Sequence, residues 1–328
     1  MKTIANVLGV ARSHLHERVH RPTAARGSYC KAADGELLPL IRRLVHERPT
    51  YGYRRVTALV NRVLAAEGKP AANHKRVFRI MKRHGLLLQR HTGRRKGRLH
   101  DGKVIVMRSN LRWCSDVFEI TCWNGEIVRI VFVIDAHDRE VLAWHAVAGV
   151  GVSGSMVRDL MLEAVELRFA TIQAPHAVEW LSDNGSPFTA KETLDFAAAL
   201  GLVPCFTPVH SPESNGIAEA FVKTFKRDYT RIHPLPDAAT VLRQIARWFD
   251  DYNESHPHSG LGMISPREFI RAQATLPGVR SNGGNTKILV AALDRLLRRV
   301  REQGGGVELG GGEVAEVAGV DVHGRFLS

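Results

Sequence analysis

Three acidic residues stand where a carboxylate needs a reason. Asp116 lies in an apolar run with Trp113, Val117, Phe118 and Ile120 around it, and an unpaired buried carboxylate costs several kcal/mol or shifts its pKa. Asp183 follows the apolar stretch AVEWL inside LSDNGSPF, at the C-terminal edge of an expected strand, where ligands gather in open α/β sheets. Glu219 falls on an expected helix opened by Ser211 as N-cap and Pro212 in the first turn. The intervals are 67 positions (183 − 116) and 36 positions (219 − 183). Three oxygen donors of this kind suit Mg²⁺, with Mn²⁺ as substitute, because Mg²⁺ prefers oxygen ligands and keeps several waters. Two such ions about 3.5–4 Å apart serve the attacking oxygen, the phosphorus and the leaving oxygen of a phosphodiester. The expected cofactor is therefore two ions per site on Asp116, Asp183 and Glu219, with no histidine or thiolate among the ligands.

Each acid has an ordinary reading by itself. Asp116 could pair with a buried arginine, Asp183 could cap the turn before Gly185, and Glu219 could be an exposed helix carboxylate. Asn184, Gly185, Asn215 and Gly216 flank the acids; the glycines permit close backbone approach and the asparagines can hydrogen-bond DNA. Lys223 and Lys226 follow Glu219 by four and seven residues, so both return to its face of a helix and can meet a DNA backbone. Asp135 competes as a strand-end acid, but VIDAHDRE reads as a hairpin turn capped by Asp135 and Asp138. His256-Pro257-His258 resembles a metal-ligand pair and is assigned to a structural turn instead, with no zinc expected.

The elements that must position these residues divide the chain by period. Leu37, Leu40, Ile41, Leu44 and Val45 recur at helical spacing up to Pro49; a second helix runs through Val56, Leu59, Val60 and Val63; a third has Asn73 as N-cap, Val77, Ile80 and Met81 on one face and Gly85 just past its end. Three short helices in this order suggest a helix-turn-helix-like module. The other face of the third carries Lys75, Arg76, Arg79, Lys82 and Arg83, suited to phosphates or a groove. The pattern then turns to strands: 112–122, 127–134 and 140–147 as an antiparallel meander, then a helix at 155–169, a strand at 177–181, a helix at 191–200 and a short strand at 202–206. That order predicts an α/β domain with an RNase H-like mixed sheet flanked by helices. Helices dominate from Ser211 to about Ala274. The expected division is a basic N-terminal segment 1–33 with one short helix, a helix-turn-helix-like DNA-binding domain 34–89, a basic linker 90–103, a catalytic domain 104–275 and an extension 276–328 of unassigned role, in which 287–303 could form a basic helix.

Charge points to the same partner. Among 328 residues, 46 Lys and Arg face 33 Asp and Glu, leaving +13 and a pI near 10.0, which favours a polyanion. No run approaches the roughly 20 apolar residues of a spanning helix, and the start lacks a signal-peptide core. A membrane is therefore not expected; the bacterial cytoplasm, at the nucleoid, is. Cys30, Cys114, Cys122 and Cys205 form no C-x-x-C pair and are read as reduced and structural.

Five motifs taken together, YGYRRV at 51–56, RWCSDVFE at 112–119, SDNGS at 182–186, SPESNGIAEAFVKTFKRDY at 211–229 and YNESHPHSGLG at 252–262, resemble the second-frame (OrfB-type) transposases of the IS-three insertion-sequence family, above all its IS-two-like branch, over about residues 36–275. The resemblance implies an integrase catalytic core with Asp116, Asp183 and Glu219 as its acidic triad and Lys226 touching substrate DNA. It implies DNA as partner, both element ends and target, a multimer that joins two ends, and a first-frame OrfA partner or fusion, since the chain begins after the upstream helix-turn-helix and leucine-zipper segment of such enzymes. The expected reaction is metal-dependent cleavage at element ends followed by transfer of the freed 3′-hydroxyl to target DNA. A catalytically inactive DNA-binding remnant or regulator, and an RNase H-like nuclease without joining activity, are the alternatives.

Overall fold

The computed structural model describes residues 2–20, 34–89, 106–207 and 215–274. The expected linker 90–103, the tail from 276 and the residues Ser211 and Pro212 lie outside them. Two short helices open the chain, α1 (Lys2–Val7) and α2 (Arg12–His20). The apolar pattern predicts a single helix here; Gly9 at φ 61 ends the first instead, with Val10 N–H closing on the Ala5 carbonyl.

The helical module follows as expected: α3 (Asp34–Glu47), α4 (Tyr53–Ala66) and α5 (His74–Arg83). The Asn73 side chain caps α5 by accepting from the Lys75 N–H at 2.8 Å, and Gly85 takes φ 67 beyond its end. Leu37, Ile41, Leu44, Val56, Val60, Val77, Ile80 and Met81 bury the facing stripes in one core.

Five strands form the sheet: β1 (Arg112–Thr121), β2 (Ile127–Asp135), β3 (Val141–Ala148), β4 (Val178–Ser182) and β5 (Leu202–Phe206), in the order β3-β2-β1-β4-β5. The first three are antiparallel, whereas β1, β4 and β5 run parallel. This is the mixed RNase H-like sheet that the pattern predicts. Helices α6 (Gly154–Phe169), α7 (Ser186–Thr189) and α8 (Lys191–Ala199) cover one face, where Trp113, Val131, Val133, Trp180, Leu160 and Ala197 share a core. Helices α9 (Gly216–Phe225) and α10 (Ala238–Glu254) cover the other, against Cys114, Phe118, Ile120, Ile130 and Phe132. Helix α11 (Pro266–Ala274) completes the described chain. The alternation of β1 thus sends odd residues to one helical layer and even ones to the other.

The VIDAHDRE turn is a buried polar hub. Asp135 accepts from the N–H groups of Asn110, His137 and Asp138, and Asp138 from that of Glu140. Arg168 answers both carboxylates from α6, at 3.6 and 2.8 Å. These acids cap and pair, as the turn reading expects. The cysteines 114, 122 and 205 are free.

Candidate active site

Asp116 is an even residue of β1, so it faces the layer of α9 and α10. The register of β1 with β4 pairs Cys114 with Leu181; two residues further on each strand stand Asp116 and Asp183. Asp183 is the first residue after β4 and is exposed. Its Oδ1 accepts from the Gly185 N–H at 3.1 Å, so the turn-capping role and a place beside Asp116 coexist. Asn184 next to it donates to the Thr207 carbonyl at 2.9 Å, tying the turn to the end of β5.

Helix α9 brings the third acid to the same face. Ala218, Phe221 and Phe225 bury one stripe of it against Phe118 and Phe132, which leaves Glu219 at the edge of the layer. The described helix begins at Gly216 behind Asn215; the expected cap pair Ser211 and Pro212 lies outside the described residues. Asn215 makes no side-chain cap; its amide donates to the Ser115 carbonyl at 3.1 Å. That bond stitches the start of α9 to β1 one residue from Asp116. The Asn215 amide oxygen is buried with no hydrogen-bond partner among the described residues. Lys223 Nζ lies 2.8 Å from the Glu219 carboxylate. Lys226 follows where α9 gives way to a π-helical turn, Lys226–Thr230, and its Nζ stands 5.9 Å from the centre of the Phe118 ring, two residues along β1 from Asp116.

The electrostatics record this convergence. Burial pushes the Asp116 carboxyl up to about 6; the Val117 N–H opposes that, the charges of Asp183 and Glu219 add to it, and Lys226 lowers it. Like charges gathered on a half-buried acid are what a divalent cation would neutralise. The donor set fits hard cations: three carboxylates, all oxygen. Among the described residues, however, no group of three His, Cys, Asp or Glu side chains stands close enough to hold an ion. The long-range coupling and this separation are compatible, because Asp183 and Glu219 are turned to Gly185 and Lys223.

The expected DNA face of α5 is mostly on the surface. Lys75, Arg79, Lys82 and Arg83 are exposed, and a cavity of about 420 Å³ opens between Asn73, Lys75, Arg76 and Arg79. Arg76 differs: it is half-buried, with Nε 2.6 Å from Asp34 at the start of α3. Its guanidinium closes the module. Sequence reasoning also misses the partners of His256 and of the YGYRRV motif, whose contacts cross from the module to the sheet domain; nothing in either motif alone signals that they meet.

Known proteins match this arrangement in the same order. A family model described as an HTH-like domain matches residues 32–96, and two described as integrase core domain match 107–212 and 200–266. The transposase InsD for insertion element IS2H of Escherichia coli (strain K12) is 48% identical over 276 residues, covering 83% of this chain and 91% of that protein. An uncharacterized protein of insertion element IS136 from Agrobacterium fabrum (strain C58) is 66% identical over 194 residues, covering 59% of this chain and all 100% of that protein. Among solved structures, the catalytic core domain of BIV integrase shares 19% identity at a TM-score of 0.34, over 51% of this chain and 97% of that one. With 48% identity over 83% of its length to a transposase matched over 91% of that protein, and with the integrase core and helical module both matched, the chain belongs to the DDE transposases of insertion elements, in the IS-three family and its IS-two-like branch.

Proposed function

We propose that Asp116, Asp183 and Glu219 are the catalytic acids of this transposase and hold two Mg²⁺ ions, with Mn²⁺ as substitute, while it cuts element ends and joins them to target DNA. The observation that carries this reading is the shared face: β1, the end of β4 and α9 carry the three acids, and the charges of Asp183 and Glu219 act on Asp116. The ions, when bound, supply charge stabilisation for in-line displacement at phosphorus. The protein's own residues do the rest. Asp116 sits on the central strand and is the fixed ligand. Asp183 and Glu219 turn from Gly185 and Lys223 to complete the set. Lys223, so released, and Lys226 hold the DNA backbone beside the scissile bond.

Two displacements use this geometry. In the first, water attacks the phosphodiester at an element end; a P–O bond forms, the bond to the 3′-oxygen breaks, and that oxygen takes a proton to become the 3′-hydroxyl. In the second, this hydroxyl attacks a target phosphodiester, forming one P–O bond as another breaks, with no covalent enzyme intermediate and no ATP. Holding a scissile phosphate and a nucleophile in one geometry removes much of the entropic barrier.

The remaining assignments extend the same reading. Residues 34–89 form the DNA-binding domain, with Lys75, Arg79, Lys82 and Arg83 on phosphates and Arg76 beside them; 104–275 form the catalytic domain. Asn184 lines the DNA path, and Asn215, buried against β1, holds the start of α9 beside it. The active assembly is a homo-multimer holding two ends, with a first-frame OrfA partner or fusion, at the nucleoid of a bacterial cytoplasm; no helix among the described residues is long and apolar enough to cross a membrane. The test is an end-labelled duplex of the element's terminus with Mg²⁺ or Mn²⁺. Cleaved and joined products support the reading. Binding alone supports the inactive regulator, and cleavage without joining supports a simple nuclease.

A further inference from the structure

Two motifs that the catalytic residues leave unused, YGYRRV at 51–56 and YNESHPHSGLG at 252–262, meet in space. The Tyr51 hydroxyl and His256 Nδ1 are 2.9 Å apart, with both residues almost fully buried at 2% and 1% exposure. Arg48 grips Asp251 with two nitrogens, at 2.6 and 2.5 Å, and the Tyr229 hydroxyl donates to the same carboxylate at 2.8 Å. Arg55 reaches Asp228 at 2.9 Å and Thr50 donates to it at 2.7 Å. Arg62 donates to the Ser255 carbonyl at 2.6 Å and pairs with Glu268 of α11. Every donor among Arg48, Thr50, Arg55 and Arg62 belongs to the helical module, and every acceptor lies beyond α9.

The position of Asp228 gives this seam its consequence. Asp228 is 2% exposed and lies in the five-residue π-helical turn that begins with Lys226. One short turn therefore carries both the lysine beside Asp116 and the anchor of the module. It continues directly from α9, the helix of Glu219. Exposed ion pairs contribute little and break easily, but Asp228 is buried and answered by Arg55 and Thr50 from the module and by Arg227 beside it, and across the same seam Arg48 meets Asp251 with two nitrogens, a contact that fixes direction as well as distance.

Resting on the functional reading above, we propose that this seam is a ruler: it holds the basic face of α5 at a set distance from Glu219 and so determines which phosphodiester is cut relative to the sequence the module binds. Arg48, Tyr51, Arg55, Asp228, Asp251 and His256 act as positioning residues, touching neither DNA nor metal.

The test compares the full chain with its R48A/R55A variant by two readouts. Spin labels on non-natural residues at exposed Glu67 and Trp123 report the distance between module and sheet domain, and cleavage of an end-labelled terminal duplex in Mn²⁺ is mapped to the nucleotide. The parent should give one narrow distance and one cut site; the variant should keep duplex binding, broaden the distance, and spread its cuts over neighbouring phosphodiesters, with a several-fold loss at the main site. If the double variant does not fold, R55K is measured in the same way. An unchanged distance in the variant overturns the seam, and a broadened distance with a single unchanged cut site overturns the ruler. A parent chain that cuts nothing even when supplied with its first-frame OrfA partner defeats the functional reading instead, while the distances still decide the seam.

Discussion

Asp116 lies two residues beyond Cys114 on β1, and Asp183 two beyond Leu181, the parallel partner of Cys114, one residue past the end of β4. Parallel strands lie about 4.8 Å apart, and matched positions present their side chains to the same face. Residues separated by 67 positions in the chain (183 − 116) thus become lateral neighbours, and α9 adds Glu219 from above that face.

Replacing Asp116 by Asn is expected to abolish cleavage and joining while duplex binding stays near that of the parent. The same change should stabilise the metal-free protein above pH 6, since burial and like charges raise this carboxyl to about 6 from 3.8. A rise of that size corresponds to an upper bound of roughly 3 kcal/mol, less after solvent screening. Thermal unfolding in EDTA reads it; a less stable variant contradicts the like-charge account.

Lys226 should act on both DNA and Asp116. K226A is expected to lower the cleavage rate by roughly tenfold or more and to reduce the salt slope of duplex binding by about one. Titration of binding against salt concentration checks this, and an unchanged slope removes Lys226 from the DNA path.

The exposed residues of α5 should contribute affinity without chemistry. K82A/R83A is expected to reduce the salt slope by about two and to leave the cut position unchanged. Loss of cleavage at saturating DNA would assign these side chains a different role.

Much of this is legible in the residues because period and chemistry agree. The strand boundaries near 112, 127, 141, 178 and 202, the Asn73 cap and the Asp135–Asp138 turn all follow from local patterns. The contact that ties the start of α9 to the sheet does not, because Asn215 meets Ser115 from 100 positions away. Nor do the partners of Asp228 in the π-helical turn, Arg55 and Thr50, 173 and 178 positions away in sequence. The salt bridge that removes Arg76 from a freely exposed row is hidden for the same reason: helical spacing gives its face, not the arrival of Asp34.

Stability should fall as the pH drops below 6.5. Burial, then the charge of Arg55, hold the folded His256 well below its usual 6.5, and burial lowers His258 to about 4. The unfolded chain therefore binds more protons than the folded one, so stability rises with pH through this window, by up to about 1.4 kcal/mol per pH unit for each histidine. Asp116 opposes this between about 6 and 3.8, where the folded state binds the extra proton. Asp228, depressed although burial alone would raise it, because Arg227 and Thr50 hydrogen-bond it and Arg55 adds its charge, costs stability only at lower pH. Denaturant unfolding at pH 7 and 5.5 should show the loss, and H256Q should flatten it by about one proton. A parent with equal stability at both values contradicts the buried neutral imidazoles.

Whether the three acids share metal on one face of the sheet is read most plainly by anomalous scattering from crystals of the full chain grown with Mn²⁺ and a terminal duplex. Manganese peaks are expected within coordination distance of the carboxylates of Asp116, Asp183 and Glu219, with Lys223 released from Glu219. Manganese bound without these three carboxylates, in crystals whose dissolved protein still joins DNA, would contradict the shared site.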